Sequence, residues 1–233
     1  MAFPLASRVT IYKAGNHNMF YHDLLMNFFQ EIGEEKGIIF QKNLPAIEAV
    51  YGELKSPIHW RLEEILKKGN LTRFYSHQVD AINAIREGKH IVISTRTASG
   101  KSLCYNLPVI ESIMGNTSNK ALYIFPSKAL AQNQAARLEK YNYAFYYGDF
   151  NYGIYDGDTH EETRRKLRKN AGIIITTPDM VHIGILPNHE KWKHFFQNLK
   201  FVVLDELHTY RGIFGTNMAH VLRRFRRICH HYG

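Results

Sequence analysis

The sequence predicts an α/β fold: a mostly parallel β-sheet covered by helices on both faces. Three observations predict it. From about residue 71, runs that are apolar throughout alternate with helical segments, the pattern of strands buried on two sides. These runs have strand length and are rich in Ile and Val, which favours strands over buried helix segments. The chain is 45% hydrophobic and 22% charged, ordinary for a globular protein, and this argues against disorder.

The elements follow in order. Residues 1–70 read as a largely helical amino-terminal extension, and residues 71–233 as the α/β domain. In "FYHDLLMNFFQEIGEEKG", Leu24, Leu25, Phe28, Phe29 and Ile32 have helical spacing, with a glycine stop at Gly33 or Gly37. "SPIHWRLEEILKKGN" predicts a helix capped by Ser56, with Pro57 in its first turn and Gly69 past its end. "SHQVDAINAIREGK" is helical to Gly88, and "HIVIST" reads as a strand. "KSLCYNLPVIESIMG" is helical despite Pro108, "KALYIFP" is strand, and "SKALAQNQAARLEKY" is helix. "NYGIYDGDT" reads as strand and turn, "HEETRRKLRKN" as a charged helix, "AGIIITTP" and "KFVVLDE" as strands. "GTNMAHVLRRFRRICHH" closes the chain as a helix with one basic face. There is no internal repeat and no low-complexity segment.

Bulk composition narrows the partners. Lys and Arg number 30 against 21 Asp and Glu, a net charge of +9, and this balance favours a polyanion. Cys104 and Cys229 are too few for a disulfide framework and suit a reducing, intracellular compartment. They cannot form an all-cysteine zinc site, and Cys229-His230-His231 reads as a polar tail, because adjacent residues rarely converge on one ion. No stretch approaches the ~20 apolar residues of a membrane helix, and "MAFPLASRV" lacks a secretory core.

The chemistry begins at "IVISTRTASGKS". It matches the phosphate-binding pattern G-x-x-x-x-G-K-[ST] except that Thr95 stands at the first glycine. A loop that turns into a helix presents backbone N–H groups and the positive end of the helix dipole to an anion. Thr97, Ala98 and Ser99 are small and leave the approach open, Gly100 allows close contact, and Lys101 supplies a point charge to the β- and γ-phosphates. Ser102 is a candidate Mg²⁺ ligand. "FVVLDELH" then sets Asp205 and Glu206 at the carboxyl end of an apolar strand, the edge where open α/β sheets bind ligands. Asp205 is the second candidate Mg²⁺ partner. Glu206 is placed to polarise the water that attacks the γ-phosphate, and His208 to couple to it.

Together these residues resemble superfamily 2 helicases. Asp205-Glu206-Leu207-His208 looks like their DExH box and "TRTASGKS" like their motif I, in which a small non-glycine residue commonly opens the loop. "RFYSHQVDAI" resembles the Q-type motif, which implies adenine contact by Gln78 and stacking by Tyr75. "FPSKALAQNQ" resembles motif Ia through Pro126, Lys128, Ala129, Leu130 and Gln134. "YDGDTHEETRR" and "TTPDM" resemble the next strand-contacting pair. "YDGDT", "TTPDMVHIGILPNHEKWKHFF" and "DELHTYRGIFG" look like the mitomycin-repair-factor type of helicase, relatives of the RecQ-like enzymes, rather than generic DEAD-box proteins. "PAIEAVYGELKSPIHWRLEEIL" resembles the lead-in of that group, so the likeness runs from about residue 40.

The resemblance implies a RecA-like lobe that binds ATP and Mg²⁺, drives a DNA helicase moving 3′ to 5′, and serves DNA repair or maintenance. It implies single-stranded or partly duplex DNA as partner, with contacts from Pro126, Ser127, Lys128, Gln134, Asp158, Thr159, Thr177 and Pro178. Turn hydroxyls such as Ser127, Thr159 and Thr177 can hold phosphates without reading bases, and Lys128, Arg164 and Arg165 would add salt-dependent affinity. The chain stops about 25 residues after the DExH box, with no Ser-Ala-Thr motif and no arginine finger. It is therefore expected to be the first motor lobe, partnered by a second RecA-like lobe of the same polypeptide and weak or inactive alone. An RNA helicase lobe, a P-loop phosphotransferase and a nucleic-acid module without ATP remain as alternatives.

Overall fold

The computed structural model describes residues 48–95, 99–145 and 150–233. The expected helix of residues 20–37 lies outside them. The chain divides into two units, Met1–Val50 and Tyr51–Gly233, and the second contains the sheet.

Its order is β1 (Tyr51–Gly52), α1 (Trp60–Lys68), β2 (Phe74–Tyr75), α2 (Ser76–Arg86), α3 (Lys101–Gly115), β3 (Lys120–Ile124) and α4 (Lys128–Leu138). Then come β4 (Tyr152–Ile154), α5 (Glu161–Asn170), β5 (Ile173–Thr176), α6 (Pro178–Met180), α7 (Lys193–Gln197), β6 (Leu199–Leu204) and α8 (Gly212–Tyr232). Tight π and 3₁₀ turns over Val181–Ile185 and Leu186–Trp192 join α6 to α7.

The main sheet has the order β4-β5-β3-β6 and every pair is parallel. Successive side chains on a strand point to opposite faces, so a strand covered twice must be apolar throughout. β3 meets this: Ala121 and Tyr123 enter a core with Leu107, Ile110 and Ile173. Leu122 and Ile124 enter a second core with Ile174, Trp192, Phe195 and Phe225. Helix α1 belongs to the first core through Leu62 and Leu66. Each such side chain contributes roughly 1.5–3 kcal/mol by leaving water.

Three local expectations fail. "HIVIST" forms no strand: residues 90–95 have no ladder partner, and Val92 is 82% exposed. An apolar run becomes a strand only where a neighbouring edge offers hydrogen bonds in register, and among the described residues β6 pairs with β3 alone. Helix α1 starts at Trp60 rather than after Ser56, because the His59 ring, not the Ser56 hydroxyl, accepts an N–H of the first turn, from Arg61 at 3.3 Å. At its far end Gly69 has φ −85°, and Asn70 takes the left-handed turn at φ 59°. Helix α8 runs through Cys229, His230 and His231, so these form its last turn rather than a tail. Among the described residues no helix is long and apolar enough to cross a membrane.

Candidate functional site

The loop before α3 is held by its own polar groups and by α2. Thr95 Oγ1 and Ser99 Oγ lie 2.6 Å apart, and Lys101 Nζ donates to the Thr95 carbonyl at 3.1 Å. Thr95 has no left-handed φ, so the backbone does not require glycine there. Gly100 is different. It has φ 77°, and a Cβ would overlap Gln78 Nε2. Thr97 and Ala98 lie outside the described residues. Lys101 and Ser102 open α3, whose first turn presents the positive end of the helix dipole to the loop.

Gln78 is 2% exposed and ties this loop to the start of α2. Its Oε1 accepts the Tyr75 N–H at 3.0 Å, while Nε2 donates to the carbonyls of Ser99 and Gly100 at 3.3 and 3.4 Å. Tyr75 is half-exposed and lies in a run of near-parallel rings, 5.3 Å from Tyr51 and 5.7 Å from His77. The His77 ring also meets the Ser99 carbonyl at 3.0 Å. Tyr51 and His77 escaped sequence reasoning: His77 stands inside the Q-type motif, whereas Tyr51 reaches Tyr75 only through the antiparallel pairing of β1 with β2.

Asp205 follows β6, and its N–H donates to the Ile124 carbonyl at 3.1 Å. Its Oδ1 accepts the Glu206 N–H at 2.8 Å, and its Oδ2 accepts the Tyr105 hydroxyl at 2.8 Å. Burial first, then the Asp205 charge, hold the Tyr105 phenol well above its ordinary range, so it stays a donor. Glu206 sits at φ 51°, ψ 46°, a left-handed conformation that costs a non-glycine residue about 1–3 kcal/mol. His208 Nδ1 lies 3.2 Å from Glu206 Oε2.

A second surface gathers four of the eight residues expected to contact a nucleic-acid strand. Pro126, Ser127, Lys128 and Thr177 line a depression of about 360 Å³ with Gly157, Asp179 and Ile183. Ser127 caps α4, and Lys128 Nζ is paired to Asp158 Oδ2 at 2.6 Å. Pro178 is buried at the first position of α6. The Thr159 hydroxyl is spent within its own turn, on the Ile154 carbonyl and Asp156 Oδ1. Gln134 is not on this surface: it is 2% exposed and donates to Asn106 Oδ1 at 3.1 Å, between α4 and α3. Arg164 clamps the carbonyls of Asp156 and Gly157 at 2.7 and 3.1 Å, so it shapes the turn instead of facing a strand. A larger cavity, about 630 Å³ between β1, α1 and β2, has none of the expected site residues in its lining.

Comparison with known proteins places this geometry in context. A family model described as DEAD/DEAH box helicase matches residues 75–232. The uncharacterized ATP-dependent helicase YprA of Bacillus subtilis is 43% identical over 209 residues, covering 90% of this chain and 28% of that protein. The ATP-dependent helicase hrq1 of Schizosaccharomyces pombe is 42% identical over 214 residues, covering 90% of this chain and 20% of that protein. Among solved structures, the DUF1998 helicase MrfA bound to DNA and AMPPNP aligns with a TM-score of 0.79 and 44% identity. That alignment covers 88% of this chain and 29% of MrfA. The chain thus spans less than a third of the length of each of these proteins.

Proposed function

Because the chain belongs to the DEAD/DEAH box helicase family, we propose that it is the ATP-binding motor lobe of an intracellular, ATP-dependent DNA helicase. The observation that carries the reading is the hydrogen bond from Tyr105 to Asp205. It brings the helix that opens with Lys101-Ser102 against the carboxyl end of β6, where Asp205 sits, so the candidate phosphate-binding helix start and the candidate metal ligand belong to one packed unit.

In this reading the N–H groups at the start of α3 and the Lys101 ammonium hold the β- and γ-phosphates of ATP. Tyr75 receives the adenine, while Gln78, buried with its amide bonded to the Tyr75 N–H and the Ser99 and Gly100 carbonyls, holds the loop against α2 instead of reaching the base. Glu206 orients and deprotonates the attacking water, with His208 steadying its carboxylate at 3.2 Å. Ser102 and Asp205 would hold Mg²⁺. The donor set fits that ion: one hydroxyl and one carboxylate, with no cluster of three or more His, Cys, Asp or Glu among the described residues. Mg²⁺ is usually bound in this way, through one or two carboxylates plus substrate phosphates, and it neutralises charge developing on the transferred phosphoryl group.

The strand surface at Pro126, Ser127, Lys128 and Thr177 receives the sugar-phosphate backbone. DNA is favoured because MrfA, at 44% identity, is bound to DNA. A second RecA-like lobe of the same polypeptide supplies the rest of the ATP site, and translocation runs 3′ to 5′. The test is binding of a fluorescent ATP analogue and of labelled single-stranded DNA. Lys101→Ala is expected to abolish the first and spare the second. Retention of nucleotide affinity in Lys101→Ala would remove the reading.

A further inference from the structure

The two residues assigned to Mg²⁺ come from different elements, Ser102 from the start of α3 and Asp205 from the end of β6. One phenol joins them. Tyr105 lies one helical turn after Ser102 on the same helix and donates to Asp205 Oδ2 at 2.8 Å. Asp205 Oδ1 is held by the Glu206 N–H at 2.8 Å. Both carboxylate oxygens are thus fixed, one by backbone and one by a single side-chain hydroxyl.

The ring that carries this hydroxyl is itself immobile. Tyr105 is 8% exposed, and its ring meets Tyr123 edge-on at 5.3 Å and 87°. Packing alone does not account for a tyrosine. Phenylalanine would fill the same volume and make the same edge-to-face contact, whereas the hydroxyl serves only the polar partners. A carboxylate at a strand end has two free torsions. A rigid donor on a neighbouring helix removes the freedom that matters for coordination.

We propose that Tyr105 is a positioning residue for Asp205, fixing its carboxylate in the orientation that binds the metal of the nucleotide complex. The inference rests on the reading of Asp205 as that ligand. Hydrogen-bond partners of metal-binding groups commonly account for 10–100-fold in metal affinity or activity.

The experiment is a Mg²⁺ titration of the full chain with a non-hydrolysable fluorescent ATP analogue, comparing wild type, Tyr105→Phe and Asp205→Asn. Affinity for the analogue in excess EDTA is expected to be the same for wild type and Tyr105→Phe, which also reports an intact fold. Half-saturation by Mg²⁺ is expected to rise about tenfold or more in Tyr105→Phe. If Tyr105→Phe follows wild type while Asp205→Asn is shifted, the positioning role is overturned and Asp205 stands. If Asp205→Asn also follows wild type, the metal-ligand reading falls and takes the proposal with it. Loss of metal-free binding in Tyr105→Phe also overturns it, because the hydroxyl would then serve the fold or the nucleotide rather than the metal.

Discussion

Gln134 Nε2 donates to Asn106 Oδ1 over 3.1 Å, between two side chains that are 2% and 3% exposed. This bond stitches α4, which opens with Lys128, to α3, whose first turn carries Lys101 and Ser102. A buried amide left without its partner costs about 1–3 kcal/mol, whereas replacing both partners with apolar groups is nearly neutral. Gln134→Leu is therefore expected to lower the denaturation midpoint of the chain, and Asn106→Leu with Gln134→Leu to recover most of the loss. Denaturant melts of the four variants in the cycle decide it. A loss in the double variant equal to the sum of the two single losses would show that the pair is not coupled.

Among the described residues of the loop, Gly100 is the position where the structure demands glycine. Its φ of 77° and the proximity of Gln78 leave no room for a Cβ. Gly100→Ala is expected to weaken ATP-analogue binding at least about tenfold by displacing the loop. Thr95→Gly, at a residue without left-handed φ, is expected to matter far less. Isothermal titration of both variants checks the order, and a larger loss in Thr95→Gly would contradict it.

The Lys128–Asp158 pair offers a signed prediction. Both side chains are well exposed, and Asp158 occupies the charge that a phosphate would otherwise meet. Asp158→Asn is expected to tighten single-stranded DNA binding and steepen its salt dependence by up to about 0.7 in the log–log slope, one phosphate's worth. Lys128→Ala should flatten the slope by a similar amount. Weaker binding by Asp158→Asn would mean that Asp158 contacts the strand directly.

Burial pushes both thiols, Cys104 and Cys229, from the ordinary 9.0 to about 11. The unfolded chain releases these protons first, so their contribution to stability is present below pH 9.0 and is lost as pH rises through about 11. At pH 8 the folded chain holds about 100-fold less thiolate than the unfolded one. Iodoacetamide is expected to label both cysteines slowly in the folded chain and quickly in urea. Rapid labelling of folded Cys104 would contradict the burial.

Much of this was legible in the sequence, and the reasons are physical. Helix α3 is bounded as read, Lys101 to Gly115, because Gly100 and the apolar face mark it locally. β3 and β5 were legible because double-sided burial demands unbroken apolar runs, and β6 carries a similar run, Phe201–Leu204, although it is only partly covered. "HIVIST" has the same signature, but pairing depends on a neighbouring edge that no local pattern reports. Gln134 fell on the wrong side of its helix for the same reason: α4 has a weak apolar stripe, and an amide satisfies a buried seam as well as a surface. Tyr105 could not be found at all. Its partner lies 100 residues away, and nothing near "KSLCYNLP" distinguishes a hydroxyl that is needed from a ring that merely packs.

The central claim is that Asp205 and Glu206 complete an ATP-hydrolysing site begun by Lys101. ATP turnover by the full-length protein, with and without single-stranded DNA, tests it most directly when wild type is compared with Glu206→Gln. Wild type is expected to hydrolyse ATP faster with DNA, and Glu206→Gln to bind ATP but lose turnover by about 100-fold or more. Equal turnover in the two proteins would contradict the account.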